Sequence, residues 1–252
     1  MKKTRLLISA VVLGGMVTAG SLPAMAEEVV NTHDGKATVQ FTENTDTPGI
    51  VDPTNPEEPL VPQVPVDDPD NEGTNNPGPL SLDVFPAKFD FGDDNMVNMM
   101  GHELESTLTG IHYLQITDNR SDIHGWDVRV SRTEFEDKST EVAPATGEKR
   151  TLAATLTLPV GEARNSMTGA ALSTELTHSS EALEIPVVDA GGAGTSIFGT
   201  TGLDESGGKI GKATSTYVWD ASQERLSVGK GESKTGNFES TINWTLTAEV
   251  TQ

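Results

Sequence analysis

Apolar and polar residues alternate with a period of two along most of the chain after residue 80. This spacing predicts β-strands, because successive side chains of a strand point to opposite faces of its sheet. In the longest example, residues 242–250, Ile242, Trp244, Leu246, Ala248 and Val250 share one face. Shorter segments that alternate, or that are rich in β-forming residues, cover residues 113–117, 126–131, 152–158, 172–176 and 216–219.

No window of comparable length has the apolar spacing of an amphipathic helix. Stretches rich in Gly, Ser and Thr, such as residues 189–202, separate the predicted strands. The pattern therefore predicts an all-β fold, an antiparallel β-sandwich of the Ig-like kind with long irregular loops. Helix is expected at most as single turns near residues 94–100 and 162–171.

Residues 1–26 have the organisation of a secretory signal peptide. Three basic residues within the first five positions precede an apolar run, and Ala24-Met25-Ala26 supplies the small residues of a cleavage site. We therefore expect export, with cleavage after Ala26. The alternative is an uncleaved membrane anchor, which the shortness of the apolar run disfavours.

Two different segments follow before the main domain. Residues 27–46 hold one predicted strand, over 36–42, in which Ala37, Val39 and Phe41 share a face. A lone strand is unstable in water, so this one should either pair with the main sheet or lack fixed structure. Residues 47–79 hold nine of the fourteen prolines and no basic residue, which predicts an acidic linker or long surface loop. A single β-sandwich domain is expected over residues 80–252.

The chain is strongly acidic and has no cysteine. It contains 17 basic and 38 acidic residues; without the three bases of the predicted signal peptide, 14 remain against 38, a net charge of −24. This charge disfavours nucleic acid as a partner, because phosphate binding depends on Lys and Arg. Without cysteine an exported domain has no disulfide bonds, so its own core must stabilise it.

No group of residues has the spacing of a catalytic, cofactor-binding or metal-binding motif. An acidic stretch that begins at Asp68 resembles the start of a calcium loop, but it contains Pro69 and lacks the closing glutamate. We therefore expect no enzyme, no cofactor and no metal site. A carboxylate pair for glycoside hydrolysis stays open, since acidic residues are numerous. The five histidines are expected at the surface or in turns: His33, His102, His112, His124 and His178.

Two tryptophan motifs, Trp126-Asp127-Val128 and Trp244-Thr245-Leu246, lie more than a hundred residues apart. In each, the tryptophan and the aliphatic residue two positions later fall on the apolar face of a predicted strand, which favours burial. The alternative is contact with a ligand, for instance at the rim of the sandwich with one ring face open to a sugar. The candidate ligand-binding residues are Trp126, Val128, Trp244, Leu246 and Trp219.

These motifs resemble the WxL-domain cell-surface proteins of low-GC Gram-positive bacteria. The resemblance extends to GPLSLD at residues 78–83, FDFG at 89–92, LQITDNR at 114–120 and VDPTNP at 51–56. One departure is Val128, where the first motif would end in leucine; the change keeps an apolar residue on the same face.

Membership of this family would imply non-covalent attachment to the cell wall, with peptidoglycan as the ligand, and an extracellular location. It would also imply a surface complex with a membrane-anchored WxL-interacting protein and other WxL proteins, in some cases with adhesion to host extracellular matrix. Two other functions stay open. One is an assembly or adhesion subunit that binds partner proteins through a sheet edge. The other is a carbohydrate-active enzyme.

Overall fold

The computed structural model describes residues 33, 35–61, 70–139, 150–188 and 192–248. The chain divides into two units, residues 1–41 and 42–252. In the first unit, the predicted signal peptide lies outside the described residues. Residues 35–41 are exposed and form no strand, so the predicted strand over 36–42 is absent. Val39 and Phe41, which would face the main sheet if the segment paired with it, are 77% and 88% exposed.

In the second unit, β-strands make up almost all of the regular structure. The described residues contain no α-helix and only one 3₁₀ turn, Ala221–Gln223. The single helical turns expected near 94–100 and 162–171 are therefore absent, and the second of these segments begins as a strand. No helix in the described part of the chain is long and apolar enough to span a membrane.

In chain order the strands are β1 (Val51–Asp52), β2 (Asn55–Pro59), β3 (Asn71–Gly73), β4 (Leu80–Pro86), β5 (His102–Glu105), β6 (Ile111–Asp118), β7 (Trp126–Arg132), β8 (Phe135–Asp137), β9 (Thr151–Leu152), β10 (Ala154–Leu158), β11 (Glu162–Asn165), β12 (Thr177–His178), β13 (Leu183–Glu184), β14 (Thr195–Thr200), β15 (Ala213–Asp220), β16 (Arg225–Val228), β17 (Phe238–Glu239) and β18 (Ile242–Ala248).

The strands pair antiparallel in several sheets, none closed into a barrel. Sheet I has five strands in the order β11-β15-β6-β4-β3, and sheet II has four in the order β12-β14-β7-β18. Sheet III has the order β13-β10-β16-β5, sheet IV the order β17-β8-β9, and β1 and β2 form a hairpin. The predicted all-β, antiparallel fold is confirmed, and the arrangement of sheets is that of a β-sandwich.

Aromatic side chains hold sheets I and II together. The ring of Tyr217 on β15 stacks on that of Phe198 on β14, with 5.4 Å between their centroids. Leu114 and Ile116 of β6 and Val128 of β7 are fully buried in the same cluster. Leucines of β10 and β16, in sheet III, extend this core, which is how a domain without disulfide bonds buries enough apolar surface to fold.

The proline-rich segment begins as a hairpin that belongs to the second unit. Thr216 of β15 donates from Oγ1 to the carbonyl of Pro53 at 2.8 Å, and Val51 N–H donates to Gln115 Oε1 of β6 at 2.9 Å. Pro53 and Pro56 are buried. Hairpin β1-β2 therefore packs on sheet I. Within residues 47–79, predicted as an acidic linker or long surface loop, the described parts contain this hairpin and β3 at the edge of sheet I.

A buried carboxylate lies on sheet I near this hairpin. Asp83 is 5% exposed and accepts hydrogen bonds from Ser81 Oγ, from Gln115 Nε2 at 2.9 Å and from Thr117 Oγ1 at 2.6 Å. Burial raises the pKa of Asp83 above its ordinary value of 3.8, and the three hydrogen bonds oppose that rise. Polar side chains at alternate positions of β6 are thus buried, because the carboxylate uses their hydrogen-bonding groups.

The variant Asp83→Asn should be less stable than the wild type by ~1–3 kcal/mol at pH 7. One carboxylate oxygen is replaced by an NH₂ group, which cannot accept the hydrogen bonds that Ser81, Gln115 and Thr117 donate. Since the folded pKa of Asp83 is raised, the folded state binds the proton more tightly than the unfolded state. Its contribution to stability therefore falls as pH rises through the folded pKa, and the gap between the two proteins should widen on acidification.

Urea denaturation at a series of pH values measures this gap. The matched control is Asp94→Asn, which makes the same charge change at an exposed loop position and should leave stability nearly unchanged. A gap that narrowed as the pH fell would contradict the raised pKa.

Candidate functional site

The two tryptophan motifs lie side by side in sheet II. Strand β18 pairs antiparallel with β7, so that Leu246 is opposite Val128, Ala248 is opposite Trp126 and Trp244 is opposite Val130. Cross-strand partners in a sheet project from the same face. Motifs that are far apart in sequence therefore form one continuous patch of the fold.

Trp126 and Val128 are part of the core. Trp126 is 1% exposed, meets the ring of Phe198 edge to face at 5.0 Å, and donates from Nε1 to the carbonyl of Gly211 at 3.1 Å. Val128 is completely buried. The burial expected from strand phase is observed. These two side chains have almost no exposed surface with which to contact a ligand directly.

Trp244 and Leu246 are only half-buried, because β18 is an edge strand that pairs with β7 alone among the described strands. The Trp244 indole donates from Nε1 to the carbonyl of Pro86 at 3.2 Å, and its ring lies 6.4 Å from that of Trp219. Trp244 thus has the rim position that was the alternative to full burial: its ring packs on the core and keeps part of its surface accessible.

Trp219, proposed as a surface aromatic, is instead 3% exposed. Its Nε1 donates to Glu224 Oε1 at 2.8 Å, and the same oxygen is 2.7 Å from His112 Nδ1. His112 and Glu224 are completely buried, so the surface or turn position expected for His112 is wrong. The 3₁₀ turn Ala221–Gln223 follows β15, and Glu224, the next residue, accepts the hydrogen bond of the Trp219 indole. The position of Trp219 near the end of a strand gave no indication of this buried contact.

A groove of about 1140 Å³ lies among the described residues, and several phenylalanine side chains line it. Five of the seven phenylalanines of the chain line it: Phe85, Phe89, Phe91, Phe135 and Phe238. All except Phe135 are half-buried, so part of each ring faces the open space. We call this feature the phenylalanine groove. It is built from the end of β4 and the loop after it, together with β8 and β17.

Fixed polar groups accompany these rings. Lys88 Nζ lies 3.1 Å from Asp90 Oδ2, and Gly92 N–H donates to Asp90 Oδ1 at 2.9 Å. The Gly92 hydrogen bond and the Lys88 ammonium lower the pKa of Asp90, which is therefore ionised at neutral pH. Asn95 Nδ2 donates to the carbonyl of Phe91 at 2.9 Å, which fixes its side chain at the groove. Apolar rings with a few oriented polar groups suit a ligand that has both apolar faces and hydrogen-bonding groups.

Beside the groove, a methionine loop over residues 92–101 exposes apolar side chains on an anchored backbone. Met96 is 85% exposed, Met99 59% and Met100 69%. The backbone is held by Asn98 N–H, which donates to Ser233 Oγ at 3.2 Å, and by the carbonyl of Met99, which accepts from Gly231 N–H at 3.0 Å. Flexible thioether side chains on a fixed loop are suited to contact with a protein surface.

A metal site is not formed by any cluster of His, Asp or Glu side chains within the described residues. The groove has acidic residues at its edge, among them Asp90, Asp93 and Glu239. They are balanced in part by Lys88 and Lys234, so the groove does not share the strongly negative charge of the whole chain.

Comparison with protein families finds a match to the family described as "WxL domain surface cell wall-binding", over residues 28–249. Comparisons with curated proteins and with solved structures found no match. The matched residues include hairpin β1-β2, both tryptophan motifs and the phenylalanine groove. Since the match covers most of the chain, the protein belongs to the WxL family of surface domains that bind the cell wall.

Proposed function

We propose that this protein is exported, with its signal peptide removed after Ala26, and is held non-covalently on the wall by binding peptidoglycan in the phenylalanine groove. Family membership supports the wall-binding role. The observation that carries the choice of site is the concentration of half-exposed phenylalanine rings in one groove, beside oriented polar groups. The protein acts as a binding module and not as an enzyme.

The charge of the protein favours a neutral ligand. Gram-positive walls contain anionic polymers, which repel a chain of net charge −24 at long range. Attachment must then come from short-range contacts. The sugar rings of a glycan strand present apolar C–H faces that stack on aromatic rings, and their hydroxyl and amide groups bond to side chains such as Asp90 and Asn95. The phenylalanine groove has side chains suited to both kinds of contact.

Co-sedimentation of residues 27–252 with purified peptidoglycan tests this proposal, and Phe91 is the residue to vary. Phe91→Leu keeps the residue apolar but removes the ring, and should weaken binding roughly three- to tenfold, since aromatic contacts contribute ~0.5–1.5 kcal/mol beyond the buried area. Phe91→Tyr keeps the ring and should bind like the wild type. Thermal unfolding of each variant shows that the fold is retained.

Two results would contradict the proposal in different ways. If the wild-type protein stays in the supernatant, peptidoglycan is not the ligand. If it sediments and Phe91→Leu sediments equally well, the wall is bound but the phenylalanine groove is not the site. The control Leu172→Ala changes an apolar residue that is 56% exposed and outside the groove, and it should leave sedimentation unchanged.

The methionine loop favours a second role, as an assembly or adhesion subunit. Its exposed apolar side chains are suited to partner proteins such as a membrane-anchored WxL-interacting protein, other WxL proteins or host extracellular matrix. In the same sedimentation assay Met96→Ser should bind purified wall like the wild type. Unchanged sedimentation of this variant would show that the methionine loop is separate from the wall-binding site.

A further inference from the structure

We propose that residues 36–42 become a β-strand by adding to the open edge of β18 in a second copy of the chain. This inference goes beyond wall binding and does not depend on it. The segment alternates apolar Ala37, Val39 and Phe41 with polar residues, as a half-buried strand does. Yet it forms no strand, and Val39 and Phe41 are 77% and 88% exposed. Among the described residues, the segment therefore has the pattern of a strand without a strand partner.

Strand β18 offers a matching edge. It pairs only with β7, and no other described strand bonds to its second edge. Sheet II has four strands against five in sheet I. An edge strand has a row of backbone donors and acceptors that can recruit a further strand. Adding one would also cover the half-exposed sides of Trp244 and Leu246.

Composition distinguishes β18 from the other edge strands. Edges are usually protected by short length or by charged side chains. Strands β5 and β11 are four residues long and contain two charged residues each, and β3, β12 and β13 have two or three residues. Strand β18 is seven residues long, INWTLTA, with no charged residue. Among the described edges it is the longest and the least protected.

The two partners also match in length and in the alternation of apolar and polar residues. Residues 36–42 and 242–248 are both seven residues long and both alternate. Placing Val39 and Phe41 on the face of Trp244 and Leu246 puts Thr38 and Gln40 on the polar face with Thr245. Thr pairs across neighbouring strands are favourable. A shift of one residue would return both apolar side chains to water, so the face that each side chain occupies is specified.

We take a second copy as the occupant because, in the described part of the chain, neither the segment nor the second edge of β18 has a strand partner. When the segment of one copy pairs with β18 of another, the segment of that second copy stays free for a third, which generates a head-to-tail array. One added strand is a small interface, so the association is weak and increases with protein concentration. Because every copy is strongly acidic, added salt should strengthen the association by screening the repulsion.

Disulfide trapping tests the proposal cleanly, since the chain has no cysteine of its own. Two single-cysteine proteins spanning residues 27–252, Thr38→Cys and Thr245→Cys, are mixed and mildly oxidised. We expect mainly the mixed dimer, more of it at higher salt, and little of it when Ser206→Cys replaces Thr245→Cys. Ser206 is exposed in a turn outside β18.

Matched variants in the Thr38→Cys protein identify the face that pairs. Val39→Asp should reduce the yield of mixed dimer roughly tenfold or more, because a charge replaces a buried apolar side chain. Gln40→Asp makes the same charge change on the polar face and should have little effect.

Three results would overturn the inference. The first is a yield with Ser206→Cys as high as with Thr245→Cys. The second is an equal fall in the yield of mixed dimer for Val39→Asp and Gln40→Asp. The third concerns a chain that carries both Thr38→Cys and Thr245→Cys: if it closes an internal disulfide at high dilution while the mixture gives no dimer, the occupant is the segment of the same chain.

Discussion

Replacing Trp126 by alanine should lower the free energy of unfolding by ~3–5 kcal/mol, the range for a large aromatic removed from a packed core. Trp126 is 1% exposed, meets Phe198 edge to face and bonds to the carbonyl of Gly211. The loss is comparable with half of the stability of an ordinary domain. Urea denaturation followed by circular dichroism measures it.

Trp244→Ala is the matched comparison, because the same residue type is removed from the neighbouring strand. Trp244 is half-buried at the edge of sheet II, so a smaller loss of ~1–3 kcal/mol is expected. Equal losses for the two variants would contradict the difference in burial. A Trp244→Ala protein that keeps its melting temperature and loses wall binding would make the exposed side of this ring part of the ligand site.

Glu224→Ala should be about as damaging, with a loss of ~3–5 kcal/mol, because it removes the acceptor from two buried groups. One oxygen, Oε1, lies within hydrogen-bond distance of both Trp219 Nε1 and His112 Nδ1. All three side chains are at least 97% buried, so water cannot replace the missing acceptor without opening the core. Thermal and urea unfolding measure the loss.

Two controls separate hydrogen bonding from other effects. Glu224→Gln keeps an oxygen that can accept from both donors, and a smaller loss of ~1–2 kcal/mol is expected. Glu205→Ala removes an exposed glutamate in a loop and should change stability little. A Glu224→Ala protein that melts like the wild type would show that the cluster contributes nothing to stability.

Strand phase in the sequence predicted the main sheets well. The alternation at residues 113–117, 126–131, 152–158 and 242–250 corresponds to β6, β7, β10 and β18. These strands have one apolar face against a shared core, which is the condition under which alternation is informative. The same reasoning failed at residues 172–176, where only an isolated bridge at Leu172 forms, and at residues 36–42. Alternation cannot show whether a strand partner is available.

The proline-rich hairpin was missed for a different reason. Prolines remove donors and so argue against central strands, but β1 and β2 pair mainly with each other. The hairpin is fixed by long-range bonds to Gln115 and Thr216, which a local pattern cannot contain. Asp83 is likewise held by hydrogen bonds from residues distant in sequence, Gln115 and Thr117, so no local pattern indicated that its carboxylate is buried.

Residue type misled the interpretation of His112. It has the same phase as Leu114 and Ile116 on β6, which indicates the buried face, yet histidine was expected at the surface. Its partner Glu224 lies 112 positions away and follows a turn, so the pairing had no signal in the sequence. The phenylalanine groove is equally non-local, since its rings come from residues between 85 and 238.

The pairing of β7 with β18 sets the order of events when the protein is made. Residues 126–132 are synthesised long before residues 242–248, and until the later strand exists one side of β7 has no neighbour. Contacts between residues so distant in sequence slow folding, because a long loop must close before they form. Sheet II can therefore be completed only after synthesis of β18, and the unfinished chain must meanwhile be kept from aggregating through the exposed edge of β7.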